Sequence, residues 1–138
     1  MTAAVDEAQK FGLKVAAHAH GTQGIKDAVR AGVASIEHGT FLDDETIAMM
    51  KERGTYLVAD IYDDDFIIGD GKLRGMPKDF LEHEAAVGKT QRENFAKAAK
   101  AGVKMAFGTD AGVFPHGQNA RQFAYMVKFG LTPDRRQF

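Results

Sequence analysis

The chain contains no cysteine. That excludes a disulfide framework and every thiolate-held metal, so any transition ion must be held by imidazole and carboxylate. No apolar run is long enough to span a bilayer. The opening stretch, MTAAVDEAQKFG, is polar and helix-like and lacks the apolar core of a secretory signal, which makes a cytoplasmic location the expectation. Charge of one sign is also missing: 18 Lys and Arg face 19 Asp and Glu, for a net charge of -1 with no basic block. Nucleic acid and membrane are therefore disfavoured as partners. Low-complexity segments and interdomain linkers are absent too. What is present, 138 residues at 44% hydrophobic and 27% charged, fits one globular unit over residues 1–138.

A recurrent punctuation divides the chain. A charged helix end, a glycine and a β-prone run follow one another at Lys10-Phe11-Gly12-Leu13, Arg30-Ala31-Gly32-Val33, Glu52-Arg53-Gly54-Thr55, Lys100-Ala101-Gly102-Val103 and Lys128-Phe129-Gly130-Leu131. Glycine just past a helix takes the left-handed conformation cheaply, and cations in the last turn suit the negative end of the helix dipole. Helix, cap, strand is the grammar of an α/β protein with a parallel sheet. Strands are predicted at 14–18, 34–38, 56–61 and 104–109, and helices at 3–11, 24–31, 44–53, 79–101 and 119–129. Asp43 is the expected cap of the helix at 44, with Ile47 and Met50 on its buried side. Residues 63–77, rich in Gly and Asp, read as a surface excursion or lid with its own short helix.

Three runs close these strands: His18-Ala19-His20-Gly21, Glu37-His38-Gly39 and Gly108-Thr109-Asp110-Ala111-Gly112. Each sets a metal-capable or proton-transferring side chain where strand gives way to loop, the end at which parallel α/β proteins do chemistry. Strand parity agrees. Val15, Ala17 and Ala19 share one face, and Ala16, His18 and His20 the other. Val103, Met105 and Phe107 oppose Lys104, Ala106, Gly108 and Asp110 in the same way.

The runs VAAHAHG, SIEHGTF and KMAFGTDAGVFPHG, in that order, resemble the amidohydrolase superfamily. They are most similar to its metal-dependent dipeptidases and carboxypeptidases cleaving Xaa-Pro, Xaa-Arg or Xaa-Lys bonds, near the imidazolonepropionase-like hydrolases. The resemblance covers nearly the whole chain. It implies a partial TIM (β/α)8 barrel, strands 5–8 with their helices, so that residues 1–138 form the C-terminal half of the barrel domain. The first-strand His-x-His pair and the carboxylated lysine of the fourth strand have no match. The stretch 132–138 falls where the family begins another helix.

On the resemblance, His18 and His38 match the fifth- and sixth-strand metal ligands, and Asp110 the eighth-strand aspartate, both ligand and proton shuttle. Neutral imidazole suits zinc or another borderline divalent ion, one or two in the intact parent. By spacing alone, the histidines read more readily as a hydrogen-bonded core pair than as ligands, and Asp110 reads also as a loop or helix cap. His20, one pleat beyond His18, is a candidate for substrate binding or for supporting a ligand. Tyr62 and Asp60 end the third strand; one of them lines the pocket, Tyr62 as a candidate for a substrate carboxylate. His116 is a further substrate-contact candidate, and Asn119 reads as the cap of the final helix. Asp63-Asp64-Asp65 lacks the spacing of a calcium loop and reads as solvated. His83 reads as a surface residue.

The expected activity is metal-dependent hydrolysis of C–N bonds, on a dipeptide or an N-acylated amino acid. Hydrolysis of cyclic amides and deamination are alternatives on the same strand ends. From another class, the chain is a non-catalytic fragment. It lacks half of the ligands and exposes two sheet edges, which the missing N-terminal half or self-association would cover.

Overall fold

The computed structural model describes residues 1–133. In chain order these form α1 (Thr2–Lys10), β1 (Ala16–Ala19), α2 (Thr22–Ala31), β2 (Ser35–His38), α3 (Asp44–Arg53), β3 (Tyr56–Val58), α4 (Asp63–Leu73), α5 (Lys78–Ala101) and α6 (Arg121–Lys128). The predicted punctuation holds. Gly32, Gly54 and Gly102 end α2, α3 and α5 in the left-handed conformation, with φ of 90°, 69° and 82°. Asp43 caps α3, accepting the N–H of Thr46 at 2.8 Å, and Ile47 and Met50 are buried. The Asp43 carboxyl is pulled down to about 2, first by its hydrogen bond from Lys26 and then by Thr46. The expectation for 132–138 falls chiefly on residues outside the described ones.

β1, β2 and β3 form a parallel sheet in that order. Ala17, Ile36 and Leu57 are register partners across it, and a single parallel bridge adds Met105. All four are buried, in one core with Ile25, Val29 and Met50. The opposite face carries the rows Ala16–Ser35–Tyr56 and His18–Glu37–Val58. Ala16, His18 and Tyr56 are exposed there. The sheet is thus covered by helices on one face and open on the other, an α/β arrangement that does not close into a barrel.

Two predicted strands end earlier than expected. The third stops at Val58 because a buried side chain replaces the ladder: Gln122 donates to the carbonyl of Ala59 and accepts the N–H of Tyr62 at 3.0 Å. The fourth is reduced to the bridge at Met105, with Leu57 N–H donating to Lys104 and Ala106 N–H donating to Leu57. Beyond it Phe107 turns to stack on Phe123 of α6, ring centroids 4.1 Å apart.

The reading of Asp63-Asp64-Asp65 as solvated is corrected. The run is the first turn of α4, an ordered helix packed along α5. The helical turn directs Asp63 and Asp64 inward and leaves only Asp65 exposed. Gly88 of α5 makes the seat, since a Cβ there would collide with the Asp64 carboxylate. Arg92 closes the junction, donating to the Ile61 carbonyl at 2.9 Å and to Asp65 at 3.0 Å. The capping role of Asn119 is also corrected. Ala120 occupies the cap position of α6 without a side-chain bond, because the Asn119 oxygen accepts instead from the Thr109 hydroxyl at 3.1 Å. His83 is exposed on α5, as expected. No described helix is long and apolar enough to cross a membrane.

Candidate metal centre

The strands deliver their end residues to one place. His18 lies on the open face of β1 and His20 follows it past the strand end. His38 has the parity of the buried Ile36, so an extended backbone would send its ring toward the helices. Its φ of 67° redirects it. The ring then lies 4.4 Å from His18 and 4.6 Å from His20, centroid to centroid, with His18 and His20 4.7 Å apart. Asp110, with φ of 47°, is the other non-glycine residue with positive φ among those described. Left-handed backbone in non-glycine residues is sparsely populated and concentrates at functional sites, and here it falls on two of the sequence candidates.

Two sets of donor atoms each lie within 4.8 Å of one another: one from each of His18, His20 and His38, and one from each of His38, Asp60 and Asp110. His18, His38, Asp60 and Asp110 line a cavity of about 240 Å³ on the open sheet face. A second cavity of about 270 Å³ shares those four residues, adds His20 and Thr40, and runs inward to Asp63 and Asp64.

A second tier fixes the rings. His38 Nδ1 is 2.7 Å from Asp60 Oδ2, and Asp60 Oδ1 accepts from Gln91 of α5 at 2.9 Å. His20 Nδ1 is 2.8 Å from Thr40 Oγ1, and the Thr40 carbonyl accepts from Asn94 of α5 at 2.9 Å. Charge follows this arrangement. The hydrogen bond to Asp60 lifts the pKa of His38, against burial and with help from the Asp60 and Asp110 charges. Burial lowers that of His20, and the neighbouring imidazoles lower it further. Burial works against ionisation of Asp60, but hydrogen bonds from His38 and Asp63 outweigh it and keep its carboxyl below the usual range. Asp63 is driven the other way, by burial and then by the Asp60 charge, so one carboxylate and one carboxylic acid share that contact. Burial raises Asp64 to about 7, opposed by Arg92.

The donor chemistry fits a borderline divalent ion. An ionised Asp60 only accepts, so in the neutral imidazole His38 Nδ1 carries the proton and Nε2 keeps its lone pair. Imidazoles with carboxylates at hand and an open side are what zinc and its neighbours take when the site is catalytic.

Of the sequence candidates, His18, His20, His38 and Asp110 come together. Asp60, the other strand-end residue considered with Tyr62, is the one that lines the cavity. Tyr62 does not: it is buried, its hydroxyl accepts from Arg121 at 3.0 Å, and it lines a separate hollow with Phe66 and Tyr125. His116 is exposed in the loop before α6 and lines neither histidine cavity. Thr40, Gln91, Asn94 and the inward Asp63 were not singled out from the sequence. Gln91 and Asn94 did carry a signal. They share the helical stripe of Phe95 and Ala98, and amides on an apolar stripe need buried partners.

The family model of the amidohydrolase family matches residues 1–136. An uncharacterised protein of Mycobacterium tuberculosis is 34% identical over 133 residues, 96% of this chain and 36% of its own length. Ochratoxinase of Aspergillus niger is 34% identical over 131 residues, 94% of this chain and 26% of its own. Among solved structures, a Xaa-Pro dipeptidase with methionine bound in its active site superposes with a TM-score of 0.83 at 46% identity, over 94% of this chain and 32% of that one. The A. niger ochratoxinase structure gives 0.84 at 32% identity, over 96% and 30%. The chain spans between a quarter and just over a third of the length of these relatives.

Proposed function

The chain belongs to the amidohydrolase family, and on that premise we propose that it carries part of the metal centre of a hydrolase of C–N bonds. In this reading β1, β2, β3 and the segment bridged at Met105 stand for strands 5 to 8 of a (β/α)8 barrel, with the open sheet face turned to the barrel axis. The observation that carries it is the meeting of His18, His38 and Asp110 in one cavity beyond the strand ends.

His18 and His38 would hold the ion. A divalent cation there, zinc by the imidazole donors, supplies Lewis acidity to water and to the scissile carbonyl. Asp110 accepts a proton from the attacking water and returns it to the departing nitrogen. Asp60 keeps the His38 ring in place. A dipeptide or an N-acylated amino acid is the proposed substrate. Support comes from the Xaa-Pro dipeptidase and from a prolidase complexed with N-methylphosphonate-L-proline, 34% identical to this chain with a TM-score of 0.77. Cyclic amides and deamination substrates are the comparison set.

The test is release of amino acid by the zinc-loaded chain from Met-Pro and from N-acetyl amino acids, beside cyclic amides. Asp110→Asn should lower the rate about 10²- to 10⁴-fold, the usual worth of a positioned acid–base group. Equal rates with Asn at that position would sink the assignment. No hydrolysis by a metal-loaded wild-type chain favours a second reading, binding without turnover. The open sheet face supports that reading, and we propose that the rest of a barrel or a second copy covers it.

A further inference from the structure

We propose that His20 is a third metal ligand, so that His18, His20 and His38 form a three-imidazole site for one divalent transition ion, built by β1, β2 and the residue that follows β1. This rests on the metal-dependent reading above. It departs from the sequence expectation, which gave His20 a substrate-binding or supporting place.

Geometry comes first. One ring nitrogen from each of the three histidines lies within 4.8 Å of the other two, a set that needs no carboxylate. His20 is not a free loop residue. The ladder continues past the strand ends: Gly39 N–H donates to Ala19 at 3.1 Å, and Phe41 N–H donates to the His20 carbonyl at 3.0 Å. The Thr22 hydroxyl then fixes Phe41 through its carbonyl at 2.6 Å. The backbone that presents His20 is therefore as well tied as the strand that presents His18.

The second argument is how the rings are held. His20 and His38 are both gripped at Nδ1, by Thr40 and Asp60 respectively. With Nδ1–H donating, both rings offer Nε2 as the free donor, the arrangement that metal-binding histidines adopt. Thr40 is 1% exposed and Asp60 5%, so neither acceptor is a casual surface contact. Each is fixed in turn by α5, Thr40 by Asn94 and Asp60 by Gln91, at 2.9 Å in both cases. Gln91 and Asn94 are themselves buried, one turn apart on one stripe of α5. Two buried amides on an otherwise apolar stripe are costly unless they hold something. Here each holds the anchor of one imidazole. Gln91 reaches the Asp60 carboxylate itself and Asn94 the main-chain carbonyl of Thr40, so α5 fixes both anchors, one through its side chain and the other through its backbone.

Nitrogen-resolved imidazole spectra of the full chain, recorded as Zn²⁺ is added, test this directly. The expected result is one equivalent of zinc moving the Nε2 resonances of His18, His20 and His38 together, with Nδ1 of His20 and His38 still protonated. A His20 resonance that stays put while His18 and His38 respond overturns the proposal and leaves the metal-dependent reading standing. Silence of all three overturns both. Competition titration gives the second measurement. His20→Ala should weaken Zn²⁺ binding more than tenfold, and Thr40→Val, which keeps three imidazoles but frees one, about tenfold. A Thr40→Val chain that folds normally and binds as tightly as wild type contradicts the proposed anchoring, even if His20→Ala fails to fold.

Discussion

At the scale of single residues, the site depends less on the imidazoles than on what holds them. Asp60 is the case in point. It is buried and takes His38 on one oxygen and Gln91 on the other, and its carboxyl is held below the usual range because the hydrogen bonds of His38 and Asp63 outweigh its desolvation. Asp60→Asn keeps the shape and removes the charge. Metal affinity should fall about 10- to 100-fold, as for other carboxylates behind a ligating histidine. Far-ultraviolet circular dichroism should be unchanged; zinc competition titration reads the loss, and equal affinity would detach Asp60 from the site. The proposed ligands His18, His38 and Asp110 were legible as candidates, because they stand at predicted strand ends that glycine spacing locates. Their supports were not. Thr40 and Asn94 are far apart in sequence, and nothing local says that they meet. Nor does any local pattern foretell that His38 abandons the parity of Ile36 through a φ of 67°.

Secondary-structure elements show the same division between local and distant causes. The glycine-capped helix ends and the start of α3 were legible because caps are local chemistry, and α3 is the clearest. Asp43 takes the Thr46 N–H and also receives Lys26 at 2.7 Å, tying α2 to α3. Asp43→Ala should cost about 1 kcal/mol, the ordinary worth of such a cap. The pH dependence has a definite sign. The folded carboxyl titrates at about 2 against 3.8 for the free group, so its contribution is complete above that value and is lost as pH falls toward 2. Urea unfolding should therefore show the full gap between wild type and variant near pH 6 and a narrower one near pH 3. A gap that does not narrow places the stabilisation elsewhere. The start of α4 was the opposite case. Three consecutive aspartates look solvated by composition, and their burial depends on Gly88, some two dozen residues away, leaving room for Asp64. Likewise the early end of β3 was invisible locally, since Gln122 of α6 replaces the ladder from the far end of the chain.

On the scale of the whole molecule, the open face of the sheet is the dominant feature, and it is polarised. Lys14 and Lys104 line the hollow where the strands begin, Lys104 over the exposed Tyr56, and Glu37 and Asp110 stand where the strands end. The parity of the strands made this face legible; the three paired strands and one bridge of the described residues do not close around it. An uncovered sheet face with free edges invites a partner. A second copy related by a two-fold axis would bring the lysines of one molecule over the carboxylates of the other, since an isologous contact pairs the two ends reciprocally. The chain at micromolar concentration should sediment as a dimer, with the monomer share rising as salt screens the exposed charges. Lys104→Glu, which puts like charge at both ends, should shift the equilibrium toward monomer without loss of helix signal. A wild-type chain that remains monomeric at low salt over the same range would overturn the two-fold contact and leave the face to the rest of a barrel.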